Sequence, residues 1–415
     1  MRTPNFRLFP ETANSDARRL VVARGLRAFA DGFVSILLPA YLIALGYDAF
    51  DVGVITTATL LGSAALTLFA GRITAGFGHR GPLLAATVLM ALTGGAFAWF
   101  ESFWPLLVIA FVGTLNPSAG DVSIFLPIEQ SLLSRSVDQK DRTELFAHYS
   151  LAGALMGAAG TLLAAAPDLM HGHLGVSLPH AMQFMFLAYA VLGAAASACY
   201  HNLSERDGRG AVEPSQPLGP SRHTVYKLVA LFSVDSFGGG FMVQSILALW
   251  LLQVFDLPVT TTANILFWSN LLTAFSFLVA VRIARRIGLI RTMVFTHLPA
   301  NLCAMAIPFI SDLRIVVALL LVRAFLSQMD VPTRTSYVMA VVTPAERPAA
   351  SSLTNVPRSL ASAISPTIAG YLLAISSFGW PLLIGGAMKI AYDLTLLAMF
   401  QKVRPPEEDG QKEAA

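Results

Sequence analysis

Long apolar runs alternate with short polar connections from residue 20 to residue 400. The runs lack the in-and-out alternation of strands. Each is long enough to cross roughly 30 Å of hydrocarbon as a helix of about 20 residues. Twelve helices are predicted, over 20–46, 52–71, 83–100, 104–133, 144–166, 181–200, 225–255, 260–281, 292–310, 315–342, 351–375 and 382–400. The connection at 201–224, HNLSERDGRGAVEPSQPLGPSRHT, is rich in Gly, Pro, Ser and charge and reads as a flexible linker. The expected layout is a cytoplasmic segment over 1–19, a bundle of six helices over 20–200, the linker, a second such bundle over 225–400 and a cytoplasmic tail over 401–415. The expected fold is an all-α membrane protein of twelve transmembrane helices in two repeats of six.

Composition agrees with a lipid environment. The chain is 55% hydrophobic and only 13% charged, where soluble domains carry about 25% charge. The net charge of +3 gives no case for a nucleic acid partner. The basic residues are instead sorted by side. Arg18, Arg19, Arg72, Arg80, Arg135, Lys140, Arg142, Arg282, Arg285, Arg286 and Arg347 fall in one set of connections, whereas the opposite set holds only Arg314. Positively charged connections stay cytoplasmic, so both termini are expected there, and the arginine- and alanine-rich usage suggests a bacterial inner membrane. Cys199 and Cys303 lie in apolar runs and offer no disulfide framework or zinc spacing. No cofactor is expected. The absence of a GxxxxGK[ST] pattern excludes a nucleotide-binding loop of that type, and no nucleophile–base constellation argues for an enzyme.

The two halves echo each other. Ala28-Phe29-Ala30-Asp31-Gly32-Phe33 aligns with Ser236-Phe237-Gly238-Gly239-Gly240-Phe241. GRITAGFGHR from Gly71 aligns with VRIARRIGLI from Val281. Leu126-Pro127-Ile128-Glu129 aligns with Val331-Pro332-Thr333-Arg334, and Asp141-Arg142 with Glu346-Arg347. A parallel repeat of six plus six is the layout of one large transporter class.

On these residues the chain resembles the major facilitator superfamily over nearly its whole length. Gly71-Arg72-Ile73-Thr74-Ala75-Gly76-Phe77-Gly78-His79-Arg80 is similar to that family's motif between spans 2 and 3, with Ala75 where the family usually has an acid. Gly71, Arg72, Gly78 and Arg80 are the gating candidates that follow. Pro344-Ala345-Glu346-Arg347 before Ser351-Ser352-Leu353 resembles the approach to span 11. The family's span 4 arginine motif and the proline-containing motif of antiporter span 5 are absent, although Gly153, Gly157 and Gly160 keep small residues there. The resemblance implies that spans 1, 4, 7 and 10 line a central cavity.

The intramembrane charges concentrate on those four spans. Arg24, Arg27 and Asp31 share one face of span 1, and Asp121 and Glu129 fall on span 4. Asp235 is on span 7, and Arg323, Asp330 and Arg334 form one stripe of span 10. Arg358 is on span 11. Ionised groups at such depth are costly and mark paths for ions or substrates. Asp31, Asp121, Asp235 and Asp330 are the proton-coupling candidates, because burial raises a carboxylate pKa and a nearby arginine lowers it. Static ion pairing is the competing reading for each. Arg27, Asn116, Glu129, Trp250, Arg323, Arg334 and Arg358 are candidates for contacting substrate or pairing charge.

Gly113-Thr114-Leu115-Asn116-Pro117-Ser118-Ala119-Gly120-Asp121 predicts a kinked or unwound span 4. Gly238-Gly239-Gly240 permits close packing or a gating bend, and Gly153 with Gly157 predicts tight helix packing. Lys389 and Asp393 read as a structural pair at a spacing of four, and Arg24 as a side chain that snorkels toward the surface. His171, His173 and His180 read as part of a solvated loop. The expected function is a proton-coupled secondary transporter that exports a small molecule as a monomer in the bilayer. Uptake of a small polar or anionic solute, and a membrane sensor without turnover, are the open alternatives.

Overall fold

The computed structural model describes residues 12–118, 123–138, 141–204, 218–343 and 346–401. All regular structure among them is helical. In order the helices are α1 (Ser15–Ala44), α2 (Ala49–Phe77), α3 (Arg80–Trp99), α4 (Phe103–Val112), α5 (Phe125–Leu133), α6 (Arg142–Leu163), α7 (Ala166–Leu174) and α8 (Leu178–His201). The second half holds α9 (Arg222–Gly240), α10 (Gln244–Val254), α11 (Val259–Ile287), α12 (Leu289–Ala306), α13 (Leu313–Ser327), α14 (Asp330–Ala340), α15 (Arg347–Ile375) and α16 (Trp380–Phe400).

Twelve crossings result because three spans are each built from two helices (α4 with α5, α9 with α10, and α13 with α14) and the short α7 extends the span of α6 instead of crossing by itself. The span 4 interruption lies at the expected place, with residues 113–118 outside any helix. The span 7 glycine run ends α9, and the chain turns over residues 241–243 before α10. Span 10 was expected to be continuous over 315–342 and is not. It breaks at Gln328–Met329, ahead of Pro332, which has no N–H to bond the Gln328 carbonyl four residues back.

Three further boundaries differ from expectation. The first helix starts at Ser15 inside the expected polar segment 1–19, because the Asn14 side chain accepts from the Ala17 amide and caps it. The second helix starts at Ala49 on a reciprocal Asp48–Asp51 capping box and continues to Phe77, through residues expected to form a loop. The segment with His171 and His173 forms helix α7 rather than an irregular loop. Asp121 lies outside the described residues, and Gly71 and Arg72 sit in helix α2 with side chains outside the described set.

Helix pairing explains several glycines. Gly78 (φ 70°) and Gly288 (φ 88°) occupy equivalent places in the two halves, after spans 2 and 8. Both sit in the left-handed region, where a side chain is strained, so this part of the repeat has a backbone cause. Inside the first half, α1 packs on α6 so closely that a Cβ on Gly160 would lie 2.0 Å from the Phe29 carbonyl.

Buried apolar residues form three clusters. One spans both halves on the side away from the termini, joining Leu37, Val52, Phe186, Leu247, Ala263 and Ala369 among others. The other two lie on the terminus side, one in each half. The first gathers Leu20, Leu83, Phe125 and Tyr149, and the second Leu228, Met293, Tyr337 and Tyr392. The halves therefore share one core at the far end and keep separate cores at the terminus end.

Candidate transport site

Every hydrogen bond between the halves among the described residues lies at mid-depth or beyond it, toward the far side. Gln244 donates to the Ser35 hydroxyl at 2.8 Å, and the Ser245 amide to the Pro117 carbonyl at 3.1 Å. The second bond uses a carbonyl freed by the broken span 4. Thr367 donates to the Thr57 hydroxyl at 2.8 Å. The Thr260 amide and hydroxyl reach Asp168 at 2.9 and 2.6 Å, so a carboxylate of one half caps a helix of the other. Beside these, α2 and α15 meet at glycines: a Cβ on Gly370 would lie 2.4 Å from the Ala49 carbonyl and 2.9 Å from Gly53 Cα. Backbone against backbone, with no side chain between, seals the far side.

Separate terminus-side cores leave the charged residues of the inner spans between them. In the first half Arg27 of α1 forms an ion pair with Glu129 of α5, both essentially without solvent exposure. Glu129 also accepts from the Tyr149 hydroxyl at 2.5 Å and the Tyr200 hydroxyl at 2.6 Å. The Arg27 Nε donates to the same Tyr200 oxygen at 3.0 Å, and its guanidinium carbon sits 4.1 Å from the Phe125 ring centre. A buried carboxylate is tolerable only with this kind of multiple satisfaction. Arg27 is thus paired across helices, with an acid 102 residues away. Asp31 is half-buried and accepts a long 3.5 Å hydrogen bond from Asn116, which itself lies within the broken segment of span 4.

The second half holds a larger network. Arg334 bridges Asp330 at 2.9 Å and Asp235 at 3.2 Å, so the expected spacing-four pair is present and extended across helices. Lys389 does not pair with Asp393 as its spacing suggested. Its Nζ donates to Asp235 at 2.6 Å. Asp393 instead faces His297 at 2.9 Å and accepts from Asn301 at 3.2 Å. No sequence expectation covered His297 and Asn301, which sit in an apolar run without an acidic neighbour. The signal was present, since they are four residues apart and share one face of α12.

Two arginines have neutral partners. Arg358 donates to Ser236 at 3.1 Å and to Asn355 at 3.3 Å. Arg323 contacts the Met242 sulfur at 3.7 Å, and its Nε has no hydrogen-bond partner. Trp250 packs against Phe255 in the shared far-side core, with Nε1 also unpartnered. Arg24 lies over Gly153, where a Cβ would meet its Nε at 2.6 Å, and 5.7 Å from the Tyr149 ring centre. It is packed in the bundle rather than extended to the surface. Gly157 leaves Gly32 only backbone to meet, since a Cβ on Gly32 would lie 2.2 Å from the Gly157 carbonyl. Gly239 likewise faces the Lys389 chain. Arg80 begins α3 at the terminus side.

Two helical halves, sealed at one end and separate at the other, with charges buried between helices at mid-depth, define a multi-pass membrane transporter. The sequence profile of the Major Facilitator Superfamily matches residues 20–329 and 236–415, and the chain belongs to that family. It is 24% identical to "Uncharacterized membrane protein YJR124C" of Saccharomyces cerevisiae over 94% of each chain. Solved structures share the fold at low identity. The nucleoside transporter NupG matches at 13% identity and TM-score 0.73, covering 94% of this chain and 100% of its own. The xylose transporter XylE from E. coli, in an inward open conformation, matches at 12% and 0.72, covering 95% and 99%. The human organic anion transporter MFSD10 matches at 16% and 0.64, covering 92% and 99%.

Proposed function

We propose that this protein is a proton-coupled secondary transporter that exports a small molecule, with both termini cytoplasmic and substrate held near mid-membrane between the halves. The carrying observation is the asymmetry of its cores: one apolar core joins the halves on the far side, and two separate ones face the terminus side. That is one end state of a rocking cycle. Asp31 and Asn116 line the substrate site from the first half, with Arg358 from the second. Asp31, Asp121, Asp235 and Asp330 are the acids proposed to couple proton movement to it. A bacterial inner membrane is the proposed location, the protein acting as a monomer.

Uptake of an anion is the second reading. It is favoured by Arg358, whose guanidinium meets only the neutral oxygens of Ser236 and Asn355. The relatives are named for nucleosides, xylose and organic anions, so the fold itself does not choose a substrate. Growth of an efflux-deficient host across a panel of antibiotics, dyes, metalloids and metabolites tests both readings. Export gives resistance that Asp31→Asn and Asp330→Asn abolish. Uptake gives increased sensitivity. Unchanged growth with the protein present in the membrane would favour a sensor.

A further inference from the structure

His297 stands at the junction of the second half's charge network. Its Nδ1 lies 2.9 Å from Asp393 Oδ1 on α16. Its Nε2 lies 3.4 Å from the Lys389 ammonium, also on α16, and 4.0 Å from Asp235 Oδ1 on α9. From α14, Arg334 and Asp330 act on it through Asp235. No other charged group among the described residues lies within 4.0 Å of its ring. The Tyr392 ring stands edge-on at 6.3 Å, closing the other side.

A neutral imidazole that donates Nδ1–H to Asp393 presents its Nε2 lone pair to Lys389. Lys389 thus divides its donors between Nε2 and Asp235. With the imidazole neutral, Asp235, Asp330 and Asp393 are balanced by Arg334, Lys389 and Arg358. A proton at Nε2 breaks this arrangement, because the imidazolium and the ammonium then compete for one carboxylate at contact distance.

We propose that His297 is the proton-accepting switch of the second half. A proton from water forms a bond to Nε2, the new Nε2–H takes Asp235, and Lys389 is displaced from it as an intact ammonium. Loss of the proton reverses each step, so no further reactant is needed. The displacement has somewhere to act. The Lys389 chain lies across Gly238 and Gly239, where added Cβ atoms would meet its Cγ at 3.2 Å and its Cε at 3.4 Å. Those glycines end α9 just before the break at residues 241–243. Lys389 is therefore a strap over the hinge of span 7, and protonation of His297 lifts it. The described structure holds the strap in place, with Lys389 on Asp235. This inference rests on the proton-coupled reading and names the site of coupling.

The test uses the whole protein in nanodiscs, with Cys199→Ser and Cys303→Ser and spin labels at the exposed positions Gln130 on α5 and Ser336 on α14. Acidification from about pH 8 to about pH 5 should reduce the long-distance, open population at least about threefold. His297→Gln and Lys389→Met should each remove that response, and His171→Gln, at an exposed position on α7, should keep it. A merely structural role for His297 would alter stability and leave the pH response in place. A response that persists in both His297→Gln and Lys389→Met overturns the switch and leaves proton coupling standing. A response lost in His171→Gln as well overturns its assignment to this network. Absence of a response in the parent protein overturns both the switch and the coupled reading. If His297→Gln does not fold, Lys389→Met decides.

Discussion

Repeat-equivalent positions in the two halves carry ion pairs of opposite polarity. Arg27 of span 1 meets Glu129 of span 4, and Asp235 of span 7 meets Arg334 of span 10. The sequence repeat places Arg27 opposite Asp235 and Glu129 opposite Arg334. Each pair ties the first helix of its half to the fourth, so the tie is shared and the sign is not. The surroundings also differ. Two tyrosine hydroxyls and an aromatic ring enclose the first pair. The second pair opens into Asp330, Lys389, His297 and Asp393. The difference separates a pair enclosed by its neighbours from one that continues into a larger network, and the switch proposed above belongs to the second kind.

The enclosed pair should be the more fragile under truncation. Glu129→Ala leaves the Arg27 guanidinium buried with its main acceptor gone, a change that costs about 3–5 kcal/mol. Thermal unfolding in detergent should show this as a large loss. An unchanged melting temperature would mean that Arg27 had found water. The double variant Arg27→Asp with Glu129→Arg gives the first half the polarity of the second. It should recover about half of the single-variant loss, as a double-mutant cycle would show. Absence of recovery would make the aromatic enclosure, rather than the charge pair, the source of this site's strength.

Asp235→Asn should cost less stability, about 1–3 kcal/mol, because Asp330 still holds Arg334. Transport should nonetheless fail. A variant that destabilises as strongly as Glu129→Ala while still transporting would reverse the assignment of roles.

Gly370→Ala attacks the seal instead of either pair. Its Cβ would overlap the Ala49 carbonyl, and overpacking of this kind costs about 1–3 kcal/mol in the sealed state alone. Labelling of a cysteine at Thr367 from the far side should rise about tenfold. Unchanged labelling would show that the glycine contact does not hold the seal.

The smallest effect is expected outside the membrane. Glu346 accepts from Ser221, Thr343 and the Gly219 amide, pinning the end of the linker to the loop before α15. Asp141, its repeat equivalent, accepts from Thr12 at 2.7 Å and pins the lead-in to α1. The Ser221 and Thr343 hydroxyls, with the Gly219 amide, hold the Glu346 carboxyl down to about 2. A depressed carboxylate stabilises the folded state above its ordinary range and loses that contribution as pH falls toward the folded value. Melting temperature should therefore drop on acidification below about pH 4.5. Glu346→Gln should start lower and show a flatter dependence. Parallel curves for the two proteins would remove Glu346 from the acid response.

The spans were legible because apolar length is a property of single helices. The interruption of span 4 was legible too, because Gly113 and Pro117 act on the local backbone. The break at Gln328–Met329 carried the same kind of signal in Pro332, which cannot bond the Gln328 carbonyl, although the apolar run around it reads as one continuous span. Charge pairing was legible only in part. Asp330 with Arg334 was readable from a spacing of four, yet the same spacing misled for Lys389 and Asp393, whose partners stand on other helices. Arg27 with Glu129, and His297 with Asp393, are separated by 102 and 96 residues and depend on how bundles close. The histidine was thus invisible as a site until α12 and α16 were brought together.

The central claim is that one two-state motion links the sealed and open sides. Cysteines at Thr57 and Thr367, whose hydroxyls lie 2.8 Å apart, allow the far side to be locked by a disulfide. The decisive measurement is the distance distribution between labels at Gln130 and Ser336 with that lock oxidised and then reduced. The account predicts a single open population when locked and a mixture of open and closed on reduction. A locked protein that still closes its terminus side would contradict it.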